Sequence, residues 1–444
     1  MTRSELIIAG GRILDPARGI DAVGDLVVRD GRVAGIVGHE VEAPGAGERF
    51  DARGLIVAPG FVDLHAHLRT PGQEHKETIA TGTRAAARGG FTTVCCMANT
   101  APPIDNRGLV DYVKSLAAAE GLIRVLPLGA MTKGLAGQEL SEMGDLAEAG
   151  VVAYSDDGIP IASSRIMRHA LEYSRAFDRP IMPHCDDPEL MQGASMNDGP
   201  VAAKLGLRGM PAAGEEAMIA RDIALAELTG GRLHICHVST AGAVDAIRRG
   251  KARGIRVSAE ATPHHLSITD EWVAGVRWDG CGQPYDTNTK MNPPLRSERD
   301  RQALLAALKD GALDSIGTDH APHAEVEKVV EFDQAAFGIV AFETALGTLG
   351  RLVEGGELDW PLVIEKLTIG PARLFKLPYG TLAPGAAADL VAFDPAQRWV
   401  VDAAEFASKG RNSPYIGQTL VGRVMATFYG GRAVHVDAAA ERRV

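Results

Sequence analysis

Apolar and polar residues follow two different rhythms along this chain. Over residues 1–58 the apolar runs are short and punctuated: 6–9 stops at Gly10-Gly11, 12–14 at Asp15-Pro16, and 25–29 is separated from 32–37 by Asp30-Gly31. An Asp-Gly pair between two apolar runs is a strong hairpin signal, because both central positions of that tight turn need positive φ. The other end repeats the style, with runs at 389–393 and 420–428, then Gly430-Gly431, then 432–436. No helical pattern of any length lies in residues 1–58. Neither end alone has enough apolar residues for a core, so the two strand-rich ends are expected to pair into one small β domain.

Between them the pattern changes. Strand-like apolar runs at 92–97, 125–129, 151–154, 181–184, 233–238, 257–261 and 315–318 alternate with alanine-rich stretches that read as helices. Those stretches are 78–88, 107–120, 163–177, 215–229, 241–251 and 299–309. Counting 56–67 makes eight strands, and alternation at this spacing predicts a parallel sheet. The expected architecture is a (β/α)8 TIM-type barrel over 59–380, with a β-sandwich domain formed from 1–58 and 381–444. A doubly wound open sheet is the competing arrangement, but no Gly-x-Gly-x-x-Gly turn follows an early strand to support a dinucleotide site.

Composition narrows the class. Hydrophobic residues are 45% and charged residues 23%, which excludes a disordered, fibrous or membrane protein as the main reading. The longest apolar stretches fall far short of the ~20 residues that span a bilayer. Residues 1–10 hold one arginine and a run too short for a signal-peptide core, so the expected address is cytoplasmic. A net charge of −11 disfavours nucleic-acid partners. The five cysteines, Cys95, Cys96, Cys185, Cys236 and Cys281, are scattered and read as free thiols in a reducing compartment.

The candidate chemistry sits at strand ends. In 58–68, Asp63, His65 and His67 alternate onto one strand face, and two histidines two apart can bind one metal. Taken singly, a His-x-His pair is more often part of a polar interior. Here His184, His237, Asp319 and the pair Asp156-Asp157 each lie just past another expected strand. The C-terminal ends of parallel barrel strands converge on one mouth, so these groups supply enough nitrogen and oxygen ligands for two divalent metals. His264 and His265 read as hydrogen-bonding neighbours, and His234 as a packed histidine.

His65-Ala66-His67-Leu68-Arg69, His184, His237 and the string from Gly317 to His323 resemble the amidohydrolase superfamily of metal-dependent barrel hydrolases. Leu382-Ala383-Pro384-Gly385 with Ala388–Val391 is similar to the segment that closes the β domain in the cyclic-amide branch. Cys96 to Thr100, Lys290 to Arg296 and Phe337 to Val340 resemble the substrate segments of dihydroorotases of the longer bacterial type. Thr70 and Ala98 depart from that pattern, which has an acidic residue and a proline there.

The resemblance implies one metal on His65, His67 and Asp319, a second on His184 and His237, and Asp157 as the bridge, with Asp156 a neighbouring or solvated residue. It implies zinc, up to two ions per chain, and Asp319 as the catalytic acid and base. It further implies that Arg69, Asn99 and His323 grip a ring carboxylate, while Asn292 and the backbone of Phe337 and Gly338 bond the amide edges of the ring; His67 borders that site. The implied reaction is the reversible cyclisation of carbamoyl aspartate to dihydroorotate in pyrimidine synthesis. The implied partners are the small-molecule substrate, a homo-oligomeric mate and aspartate carbamoyltransferase. Other cyclic amidases would use the same metals, and a non-catalytic scaffold homologue is the rival from another class. Arg69 with Asn99 argues against hydantoinases and dihydropyrimidinases, whose substrates lack the carboxylate; a scaffold is expected to have lost ligands, and none is missing.

Overall fold

The computed structural model describes residues 5–42 and 47–443, without the side chain of Cys281. The readings of residues 1–4 and of the Cys281 thiol therefore lie outside the described residues.

The two ends of the chain share one sheet. Its strands run in the order Arg432–Val436, Thr419–Tyr429, Leu390–Val400, Ile56–Pro59, Glu5–Asp15, Ile20–Arg29 and Arg32–Ile36, with Glu48–Asp51 also beside Glu5–Asp15. The seam is the antiparallel pairing of Leu390 to Phe393 with Pro59 to Ile56. Ile8, Ile13, Phe50, Val57, Leu390 and Phe428 form the core there, drawn from both ends. Both expected hairpin turns form at positive φ, 50° and 75° at Asp30-Gly31 and 57° and 76° at Gly430-Gly431. The turns abut so closely that a Cβ on Gly31 would stand 2.9 Å from the Gly430 carbonyl oxygen.

The run 56–67, read as one strand, is two. Ile56–Pro59 belongs to the end-to-end sheet, and Phe61–Ala66 starts the barrel. Between them Gly60 passes so near Thr92 that a Cβ would lie 2.2 Å from its Oγ1. An unbroken apolar pattern cannot reveal this break, because both halves are fully buried.

Phe61–Ala66, Phe91–Cys96 and Arg124–Pro127 pair in parallel, as do Leu233–Ile235, Val257–Ala261 and Ser315–Ile316. Single parallel bridges at Gly129–Tyr154, Tyr154–Ile181 and Ile181–Leu233 join the two sets, and Ala66–His320 closes the ring. The structure is thus an eight-segment (β/α)8 barrel joined to a β-sandwich. The segments at 154 and 181 are shorter than the expected strands. Pro180 and Pro183 flank the pair Ile181-Met182 and have no N–H to give a ladder.

All six expected helices form: Ile79–Arg88, Arg107–Glu120, Ser164–Ser174, Ala212–Thr229, Ala241–Ala252 and Glu298–Asp310. Thr78, Asn106, Ser163, Thr240 and Ser297 cap five of them, each side chain accepting from a first-turn N–H. Among the described residues no helix is long and apolar enough to cross a membrane.

The helix Phe342–Glu354 was not legible in the sequence, because Gly347 and Gly350 interrupt its pattern. Those glycines let it lie against the strand Thr419–Tyr429: a Cβ at Gly350 would be 1.8 Å from the Val421 carbonyl oxygen. Helix propensity alone predicts that Gly350→Ala stabilises by about 1 kcal/mol. The contact reverses the sign, and overpacking of about 1–3 kcal/mol should prevail and lower the thermal midpoint. A midpoint that rises in calorimetry would show that the helix does not bear on the sandwich this closely.

Candidate metal centre

Six side chains arrive at one mouth of the barrel from five strand ends. His65 lies in Phe61–Ala66 with His67 just beyond; Asp157 follows the bridge at Tyr154, and His184 the one at Ile181. His237 follows Leu233–Ile235, and Asp319 follows Ser315–Ile316. The chain turns sharply there: Arg69, His237 and Asp319 have φ of 58°, 34° and 47°. Left-handed backbone in such residues costs about 1–3 kcal/mol each and clusters at functional sites.

Asp157 stands at the middle. Its Oδ1 is 3.3 Å from His237 Nε2, 3.5 Å from His65 Nε2 and 3.7 Å from His184 Nδ1, and its Oδ2 is 3.4 Å from His67 Nε2. Asp319 Oδ1 is 3.0 Å from His67 Nε2 and 3.5 Å from His65 Nε2. Two sets, His65 with His67 and Asp319, and Asp157 with His184 and His237, bring ligand atoms within 4.8 Å of one another. The Cys236 sulfur reaches the same distance from His65 and Asp157, and burial pushes its thiol up to about 12.

The residues fit a cation. His65 is fully buried, and its Nδ1 lies 2.8 Å from Glu260 Oε1. Its Nε2 has no hydrogen-bond partner among the described residues. With the ring proton on Nδ1, the Nε2 lone pair faces the oxygens of Asp157 and Asp319, a repulsive arrangement that a cation between them relieves.

The electrostatics agree. Burial opposes the charge of Asp157 and Asp319, yet the imidazoles, His65 first, hold both carboxyls well below their usual range. Burial likewise opposes charging of the imidazoles, but Asp157 and its neighbours raise His65, and Asp186 with Asp157 raises His184 to about 10. A ligating imidazole must be neutral, so protons and cations compete for these same nitrogens.

Two outer carboxylates were missed in the sequence. Glu260 holds His65 and also lies 3.3 Å from His234 Nε2; Asp186 Oδ2 is 2.9 Å from His184 Nε2. A carboxylate inside the apolar strand Val257–Ala261, and another two residues past His184, were the available signals. Asp156 is neither at the cluster nor solvated. It is buried, and its carboxylate accepts from the Met131 and Thr132 N–H groups and the Thr132 hydroxyl, bracing the loop. Asp63 accepts from the Thr318 N–H and hydroxyl, tying the first barrel strand to the last.

The expected substrate residues line the same mouth in different states of commitment. Arg69 is buried; its Nε donates to the Pro322 carbonyl, and its Nη2 lies 3.4 Å from His323 Nε2. No carboxylate lies within 4.0 Å of Arg69 among the described residues. Burial, Arg69 and Lys328 hold His323 down at about 3, so its ring is neutral. Asn99 is engaged at both ends, its Oδ1 2.9 Å from His67 Nδ1 and its Nδ2 donating to the Asp157 carbonyl. As it stands, Asn99 orients the cluster instead of offering a free amide. Asn292 Nδ2 is 3.0 Å from His184 Nε2, while its buried Oδ1 has no partner among the described residues. The Phe337 carbonyl lies 2.7 Å from His323 Nε2, and Gly338 donates to the Lys290 carbonyl and accepts from Asn412 Nδ2. Those groups are bonded within the protein, so the Phe337-Gly338 backbone is less open to a ring than the sequence implied.

Known proteins share this architecture and sequence. Residues 54–243 match the family described as dihydro-orotase-like. A protein of Anaeromyxobacter dehalogenans named dihydroorotase is 54% identical over 98% of this chain and 99% of its own. One of Pelotomaculum thermopropionicum with the same name is 50% identical over 98% and 99%. Among solved structures, L-hydantoinase (dihydropyrimidinase) from Arthrobacter aurescens superposes with a TM-score of 0.85 at 24% identity, covering 98% of this chain and 97% of that one. D-hydantoinase (dihydropyrimidinase) from a Thermus species gives 0.82 at 26% identity, covering 97% and 96%.

Glu260→Gln keeps the shape and removes the charge that orients His65. Outer partners of this type change metal affinity or activity by roughly 10- to 100-fold. After dialysis against a chelator the variant should retain less metal than the wild type at unchanged circular dichroism; equal retention would show that Glu260 only packs.

Proposed function

The chain belongs to the dihydroorotase family, and from that premise we propose that it interconverts carbamoyl aspartate and dihydroorotate in pyrimidine synthesis. The observation that carries this is Arg69, a buried guanidinium beside the histidine cluster with no carboxylate within 4.0 Å among the described residues. A forked planar cation suits a substrate carboxylate, and its burial makes the pairing strong.

We propose that His65, His67 and Asp319 hold one zinc, that His184 and His237 hold a second, and that Asp157 lies between them. Neutral imidazoles with carboxylates suit zinc. The donor sets support the number: His65, His67 and Asp319 form one group of ligand atoms and Asp157, His184 and His237 another, sharing no residue. When bound, the ions lower the pKa of a water and polarise a carbonyl oxygen.

The chain's own residues supply the rest. Arg69 and His323 fix the ring carboxylate, and so place the ring amide over Asp319 and Asn292. Asp319, ionised at neutral pH, accepts the proton of the attacking water as the new C–O bond forms. It then delivers that proton to the ring nitrogen as the C–N bond breaks. Ring closure reverses these steps and starts from the protonated carboxyl, so closure is favoured at lower pH than opening.

The family resemblance also supports a homo-oligomer, a cytoplasmic address and a complex with aspartate carbamoyltransferase. Co-migration of the two purified proteins on sizing is the expected outcome, and separate elution with full activity alone would remove the complex.

Arg69→Met keeps the apolar stem and removes the fork. Losing a desolvated charge pair costs about 2–5 kcal/mol, a fall in kcat/KM of roughly 30-fold to several thousand-fold on dihydroorotate. Metal content should not change. Turnover on dihydroorotate relative to dihydrouracil decides the matter: a wild type that prefers dihydrouracil, or a ratio unmoved by the mutation, would overturn the substrate class.

A further inference from the structure

Outside the metal cluster, His323 also forms the wall of a pocket of about 390 Å³ at the barrel mouth. Three cations, Lys328, Lys409 and Arg411, face it together with one acid, Glu325. None of the three has a carboxylate within 4.0 Å among the described residues. Their partners are carbonyl oxygens instead. Lys328 donates to Lys290 and Ala336, Lys409 to Glu74, and Arg411 to Ser408 and Gly410. The nearby acid Glu327 is already paired with Lys76 at 2.7 Å.

In a chain of net charge −11 with many surface ion pairs, three such cations around one cavity are an anomaly. Lys328 sharpens it, because its side chain is buried at 6% exposure and its hydrogen-bond partners among the described residues are carbonyl oxygens. Burial and then Lys290 hold its ammonium down to about 7, against the opposing pull of Asp286 and Glu327. His323 lines the pocket and its Nε2 lies 3.4 Å from Arg69 Nη2, so one imidazole borders both the pocket and the buried guanidinium.

We propose that this pocket is an oxyanion antechamber, which captures carboxylate-bearing substrates on Lys409 and Arg411 and passes them across His323 to Arg69. The inference rests on the reading of Arg69 as the carboxylate-binding group. A cavity lined by one sign of charge raises the local concentration of the opposite ion and the rate of its capture, and salt weakens both effects. An overall negative protein gains most from such a local device, since its general field repels an anionic substrate.

The test uses exposed residues that take no part in the chemistry. In the double variant Lys409→Gln/Arg411→Gln, kcat/KM for dihydroorotate should fall about three- to tenfold at low ionic strength. Its kcat should be unchanged, and its dependence of kcat/KM on ionic strength should flatten. The charge-preserving double variant Lys409→Arg/Arg411→Lys should keep wild-type values. An unchanged kcat/KM, a parallel fall in kcat, or an equal loss in the charge-preserving variant would each overturn the antechamber. A wild-type enzyme without any turnover of dihydroorotate would instead overturn the substrate reading on which it rests.

Discussion

A carboxylate buried among four imidazoles is the constraint on which the rest of this molecule depends. Moving a carboxylate out of water costs several kcal/mol even after relaxation, and Asp157 is buried. Its neighbours answer that cost collectively. His65, His67, His184 and His237 face it, and Glu260 and Asp186 in turn hold the far nitrogens of two of them. Protons on the imidazoles are one way to balance the charge, and divalent ions another; the orphaned Nε2 of His65 favours the second.

The barrel makes that arrangement possible because no single element could. Parallel strands bring six side chains from distant parts of the sequence to one end, while the helices carry the apolar faces. Closure depends on local acids spent in structural roles. Asp63 ties the first strand to Thr318, and Asp156 braces the loop beside Asp157. Left-handed backbone at His237 and Asp319 then aims each side chain inward, at a cost the packed strands behind them offset. The sandwich contributes at a distance: Asn412, in the segment leading to its last strands, accepts from the His323 N–H and donates to the Gly338 carbonyl.

How much of this could be read from residues alone follows from how local each signal is. Hairpin turns at Asp30-Gly31 and Gly430-Gly431, and helices capped by Thr78 or Ser163, are written in a few adjacent residues. The ligand-type histidines were legible because His65 and His67 alternate on one strand, His184 and His237 lie just past apolar runs, and one topology makes such positions converge. Glu260 and Asp186 were not, since only the folded distances to His65 and His184 give them a role. The break at Gly60 was hidden because both flanking strands are buried on both faces. The helix Phe342–Glu354 was hidden because its glycines answer a partner strand some seventy residues away.

The division of labour at the mouth follows from the same electrostatics. A histidine–carboxylate cluster activates water next to many kinds of carbonyl, so it cannot by itself choose a substrate, and a fold hosts whichever choice the surrounding side chains make. Choice needs a group that is costly to leave unpaired. In the proposed reading Arg69 is that group, because its guanidinium is enclosed, its hydrogen-bonding companions are a carbonyl and an imidazole, and a ligand without an anion would leave it unpaired. The penalty for the wrong ligand is therefore built into the empty pairing itself, which discriminates more strongly than added contacts to the right one.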